Sequence, residues 1–109
     1  MLSSLKETLR ERIMKLLMET KHPLSAKDII YELGLNPSTS EREIYQHIQH
    51  IAKSIRRRSG GKYAVFMIPP QCRSCGYVFK DLDKPKKPSK CPKCRSQRIE
   101  PPRFKIMEL

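Results

Sequence analysis

SAKDIIYELGLNPSTSEREIYQHIQHIAKSIRRR, from Ser25 to Arg58, is the stretch on which the fold turns. Ser25 reads as an N-cap with Asp28 at the third helical position, the reciprocal pattern of a capping box, so a helix is expected from Ala26 to Leu33. Gly34 ends it, because only glycine enters the left-handed turn without a Cβ clash. After Leu35-Asn36-Pro37, Ser38 and Ser40 each stand three residues before a glutamate, Glu41 and Glu43, and a third helix is expected from there to about Arg57. Its isoleucines, Ile44, Ile48, Ile51 and Ile55, fall in one narrow arc at about 100° per residue and form a core-facing stripe. A short capped helix, a glycine corner and a longer helix with a polar outer face make a helix-turn-helix pattern.

Upstream, Leu5, Leu9, Ile13, Leu16 and Leu17 recur at spacings of three and four, so Ser3 to Lys21 reads as helix one, stopped by His22-Pro23. Downstream, Ser59-Gly60-Gly61 is a turn, and Lys62 to Ile68 is rich in branched and aromatic residues, which predicts a strand closed by Pro69-Pro70. From Gln71 the character changes: seven of the nine prolines follow Ile68, and apolar residues thin out. Tyr77 to Lys80 is a candidate strand, Asp81 to Lys90 a loop, and Gln97 to Glu100 a segment that pairs back. Arg103 to Met107 is again strand-like. The expected fold class is α+β, with a helical domain at residues 1–69, a small module at 70–100 and a return strand in 101–109.

The composition bounds the function. A chain of 109 residues holds one modest core, and a second module this small usually needs a disulfide or a metal. Met1 to Leu5 lead straight into a charged stretch without a signal-peptide core, and the longest apolar run, Ala64 to Ile68, is far short of the about 20 residues that span a bilayer. The chain therefore reads as cytoplasmic, with no membrane role. The net charge of +12 points to a polyanionic partner. Residues 1–55 carry 8 Lys+Arg and 7 Asp+Glu, whereas residues 56–109 carry 15 and 4, so the excess is almost all C-terminal.

The strongest chemical signal is Cys72-Arg-Ser-Cys75, 15 residues, then Cys91-Pro-Lys-Cys94. Each pair folds tightly enough for two thiolates to reach one tetrahedral ion at about 2.3 Å, and the loop brings the second pair over. Gly76 supplies the relaxed backbone that follows such a turn; Arg95 stands at the corresponding place after Cys94. In a reducing compartment this set reads as one structural Zn2+ site rather than two disulfides, with rubredoxin-type iron as the rival. Arg73, Lys90, Lys93 and Arg95 surround the thiolates and favour their ionised form.

The second signal is the outer face of helix three. Arg42, Gln46, Gln49 and Lys53 lie opposite Ile44 on the wheel, long donors suited to base edges and phosphates, and Arg56, Arg57, Arg58 and Lys62 place four cations around the glycine turn. These eight residues are the candidate contacts with double-stranded DNA. His47 and His50 read as surface residues, and Tyr31, Tyr45, Tyr63 and Phe66 as packing. No Ser/His/Asp set, phosphate loop or paired carboxylates stands out, so catalysis is not expected.

The three helices with the Gly34 corner, the strand after Gly60-Gly61, and Cys72-x-x-Cys75 with Cys91-x-x-Cys94 together resemble archaeal winged-helix proteins that carry a rubredoxin-like zinc ribbon. The resemblance implies a winged helix-turn-helix domain with structural zinc, Arg103 to Met107 returning to pair with Lys62 to Ile68, the ribbon inserted at or replacing the wing, and a DNA-binding transcriptional regulator. A winged helix followed by a zinc ribbon also resembles general transcription factor E, which implies a protein-interaction module of the transcription machinery. A zinc or redox sensor is the third reading, its cysteines releasing the metal on oxidation. Such regulators often bind as dimers, but no coiled-coil heptad marks a homodimer interface here.

Overall fold

The computed structural model describes residues 7–109. Three helices, α1 (Leu9–Glu19), α2 (Ala26–Glu32) and α3 (Glu41–Arg58), are followed by strands β1 (Tyr63–Ile68), β2 (Gln71–Cys72), β3 (Ile99–Glu100) and β4 (Arg103–Glu108), a mixed α+β arrangement. α1 begins later than its apolar stripe suggests. Thr8 is extended and accepts the Glu11 amide, while Glu11 returns a carboxylate to the Thr8 amide, a capping box the sequence reading passed over. Leu5, counted in that stripe, lies outside the described residues.

Ser25 and Asp28 cap α2 reciprocally. Of the two serines before α3, Ser40 is the cap, accepting the Glu43 amide at 3.1 Å, while Ser38 is drawn into a local turn by Asn36 Oδ1. The corner between α2 and α3 is fixed by Gly34 at φ +62°, and Arg12 reaches across from α1 to donate to the Leu33 carbonyl at 2.8 Å.

β1 and β4 pair antiparallel, Tyr63 opposite Glu108 through Ile68 opposite Arg103, and β2 and β3 form a second, two-residue ladder nested between them. Leu24, in the α1–α2 connection, makes a reciprocal pair of backbone bonds with Phe104 at 2.9 and 2.8 Å. β4 therefore has neighbours on both edges, Leu24 on one and β1 on the other. The sequence offered no strand at Leu24, since a single bridging residue leaves no alternating pattern.

The described residues form two separate apolar cores. The larger joins Ile13 and Leu17 of α1, Ile29 of α2, the isoleucine stripe of α3, and Phe104 and Ile106 of β4. The smaller contains only Cys72, Cys91 and Ile99, with Tyr77 and Phe79 stacked edge-to-face against it at 5.0 Å. Pro70 and Pro102, both fully buried, lie where the chain passes between the two.

Candidate functional site

The two cysteine pairs fold as equivalent knuckles. In the first, the Gly76 amide donates to the Cys72 carbonyl at 2.9 Å and the Cys72 amide to Tyr77; in the second, Arg95 donates to Cys91 at 2.8 Å and the Cys91 amide to Ser96. Both turns need a left-handed residue after the second cysteine. Gly76 supplies it at φ +80°, and Arg95 is forced into it at φ +64°, the one non-glycine residue with positive φ among those described.

The geometry fits a tetrahedral metal. The four Sγ atoms lie within 4.8 Å of one another, with Cys72 to Cys94 at 3.5 Å and Cys75 to Cys91 at 3.6 Å. A tetrahedron of sulfurs around an ion at about 2.3 Å has edges of about 3.8 Å, so small shifts of the sulfurs complete it. Cys72 and Cys91 are buried, Cys75 and Cys94 exposed. Burial, the largest single influence, pushes the Cys72 thiol up, but amides of Cys75 and Ser74 and the neighbouring thiols outweigh it and hold Cys72 at about 6. Cys91 is lowered likewise: burial opposes, and amides of Cys94 and Lys93 prevail. At Cys94 the Ser96 amide pulls down, yet burial and the three other thiols win and drive it up to about 12. Cys72 and Cys91 are thus drawn toward the thiolate while Cys94 holds its proton, a division that a bound metal would replace.

The candidate nucleic-acid residues divide into groups. Arg42, Gln46, Lys53, Arg56 and Arg57 lie on one exposed ridge of α3, and among the described residues neither Arg42, Lys53, Arg56 nor Arg57 is within ion-pair distance of a carboxylate. Gln49 is half-buried. It lines a cleft of about 250 Å³ between α3, Val65 and Met67 of β1, and Asp83, Lys84 and Pro85 of the loop between the knuckles. Arg58 points away from the ridge and lines a crevice against α1 with Arg10, Glu11 and Ile51. Lys62 is exposed but faces Glu108 at 3.8 Å and lies over the Tyr63 ring.

The Ser59–Lys62 turn is a helix terminus. Gly60 and Gly61 at φ +64° and +83° return amides to Arg57 and Arg56, so its cations sit at the opposite end of β1 from the cysteine module. His47 departs from its expected surface role. It is half-buried, its Nδ1 has no partner among the described residues, and burial with the Arg10 charge lowers its pKa. Tyr31, expected to pack, is 83% exposed, and Phe66 is also exposed, whereas Tyr45 packs against Phe104 with centroids 6.1 Å apart.

The sequence reading missed how the loop between the knuckles lies. Asp83 to Pro85 share a cleft with Gln49 and Lys53 of α3, and Lys87 shares another with Glu41, so this lysine-rich segment lies beside α3 between Glu41 and Lys53. The lysines were visible as a cluster; their alignment with α3 depends on the tertiary fold.

Residues 8–62 match the family described as PF0610-like, N-terminal, and residues 69–108 match the PF0610 rubredoxin-like zinc beta-ribbon domain. A search of curated proteins finds no match. Among solved structures the chain is similar to the solution NMR structure of protein PF0610 from Pyrococcus furiosus, at 35% identity and a TM-score of 0.71 over 91% of this chain and 88% of that one. The chain therefore belongs to the PF0610-like family, with a rubredoxin-like zinc ribbon as its C-terminal module.

Proposed function

We propose that the chain is a DNA-binding transcriptional regulator of winged-helix type, with α3 as the helix that enters the major groove and one structural Zn2+ on Cys72, Cys75, Cys91 and Cys94. The observation that carries this reading is the exposed ridge of α3, on which Arg42, Gln46, Lys53, Arg56 and Arg57 stand together with no carboxylate paired to the cations among the described residues. By the helical rise the ridge from Arg42 to Arg57 is roughly 22 Å long, enough to follow a groove and meet phosphates on both sides. Glu43 is exposed on the flank of α3 and turned toward His47 at 3.9 Å.

The topology supports a winged helix. The edge residue Leu24, the inner strand β4 and the outer strand β1 form a small sheet beside three helices, and the ribbon occupies the connection where a wing loop would be. The metal, when bound, joins the two knuckles and supplies folding energy the small core lacks. It thereby holds Lys84 and Lys87 beside α3, where cations add affinity without choosing sequence.

The test is salt-dependent binding of the metal-loaded chain to random and genome-selected duplexes. A steep salt slope with a selected site roughly 10³ tighter than random duplex fits a regulator. Gln46→Ala with Arg56→Ala should weaken binding without lowering the thermal midpoint; these two are chosen because Gln49 and Lys53 border the ribbon loop. Unchanged binding would remove α3 from the interface. Elemental analysis of the purified chain should give one zinc; iron with a visible charge-transfer spectrum would overturn the metal assignment.

A further inference from the structure

A second cation-rich surface lies away from the α3 ridge, at the seam between the two modules. There the α2–α3 corner and the ribbon enclose a polar cleft of about 330 Å³. Lys27 comes from α2 and Glu41 from the start of α3; Arg73, Lys87, Gln97 and Arg98 come from the ribbon. Arg73 is neutralised locally, since its guanidinium binds Glu100 Oε2 at 2.7 Å and Glu100 Oε1 takes Arg103 at 3.0 Å. Among the described residues Lys27, Lys87 and Arg98 have no such partner, which leaves three cations against the single carboxylate of Glu41.

Three cations against one carboxylate leave the cleft net positive, and walls of low dielectric focus that field on whatever enters. The three cations stand on three separate pieces of chain. Neither module alone makes the site, and it exists only while the ribbon is folded against the helices.

We propose that this cleft binds one phosphate group, with Lys27 gripping it from the helical module and Lys87 and Arg98 from the ribbon. Arg98 provides the planar fork that matches phosphate oxygens, and the two lysines act as point charges. Gln97 is the neutral donor and Glu41 an acceptor for a hydroxyl carried beside the phosphate. The phosphate comes either from a nucleic-acid backbone or from a free phosphate compound. In its nucleic-acid form the proposal rests on the duplex reading above, and the cleft would hold the strand that flanks the N-terminal end of α3.

The experiment uses the full metal-loaded chain with two probes, inorganic phosphate and a 20-base-pair random duplex. Backbone amide shifts are followed on titration with phosphate, and duplex affinity is measured against salt for wild type, for Lys27→Ser with Arg98→Ser, and for a charge-matched control, Lys15→Ser on α1 with Lys21→Ser just beyond it. A backbone-phosphate site predicts a slope of log K against log salt that is shallower by about 0.9 in the double variant and unchanged in the control. A free-phosphate site predicts saturable shifts at Lys27, Lys87 and Arg98 that the double variant abolishes, with duplex binding equal in all chains. Lys87→Ser, on a loop outside both cores, repeats the test should the double variant fold poorly. The cleft proposal is overturned if phosphate moves none of the three amides and the variants bind duplex like the control. A wild type that binds no duplex at all, yet shows the phosphate shifts, would sink the duplex reading and leave the cleft standing.

Discussion

Removing the metal should unfold the ribbon, leave the three helices folded and loosen β4, and the structure gives this last effect a magnitude. The ribbon core contains one fully buried side chain that is not a ligand, Ile99. A single such residue, at about 1.5–3 kcal/mol, cannot offset the ordering of a module this size at about 1–2 kcal/mol per residue. Without metal, residues 69 to 102 become an open loop of 34 residues between β1 and β4. The length-dependent entropy of closing that loop is about 3 kcal/mol. Against it stand Phe104 and Ile106, both buried in the main core, which together contribute about 3–6 kcal/mol, and the paired backbone bonds to Leu24. β4 should therefore stay docked but open far more readily. The assay is native-state hydrogen exchange with and without a chelator, and Cys72→Ser should reproduce the chelated state. Amides from Cys72 to Ile99 should lose all protection, those of β4 should lose about 3 kcal/mol of it, and those at Ile48 and Ile51 should keep most of theirs. Collapse of the helical amides together with the ribbon would show that the two cores are one cooperative unit. Persistence of ribbon protection in the chelator would refute the argument from core size.

The second knuckle should be improvable, since Arg95 sits at φ +64° where its Cβ is strained. Arg95→Gly should slow zinc transfer to a chelating dye by a few-fold. Gly76→Ala, at φ +80° with room for the methyl, should cost about 1–2 kcal/mol through backbone strain alone and speed the same transfer. Faster transfer from Arg95→Gly would mean that the arginine's charge matters more than its backbone. The Tyr45 hydroxyl is buried without a partner among the described residues, and burial followed by the charge of Glu41 pushes it up to about 12. Tyr45→Phe keeps the ring against Phe104 and should raise stability by about 1 kcal/mol in urea unfolding; a clear loss would reveal a bonded hydroxyl. His47 is held below its usual pKa by burial first and Arg10 second, so the unfolded chain binds its proton more readily. The stability this contributes is present above about pH 6.5 and is lost as pH falls through the lower folded value, by at most about 1.4 kcal/mol per pH unit. His47→Gln should flatten that part of the pH profile, and an unchanged profile would assign it elsewhere.

Local chemistry was legible in the linear chain because its signals are local. Ser25 with Asp28, Gly34, and the isoleucines of α3 act within a turn or two, and the cysteine spacing encodes a loop that closes on itself. The start of α1 was missed, although its Thr8–Glu11 box is of the same local kind, because the apolar stripe extends past it. Tertiary structure decided whatever depends on how distant segments lie together. It partly buried His47 and turned Arg58 toward α1. It used Leu24 as the outer neighbour of β4, and it laid the lysine loop along α3 so that Gln49 faces a cleft. The physical reason is one of range. Caps, turns and ligand knuckles are satisfied by atoms a few residues apart, whereas burial and the sharing of a charged surface depend on which faces the whole chain presses together. The sequence by itself determined three helices, a return strand and a metal ribbon, and only the packed chain determined which cations share a face.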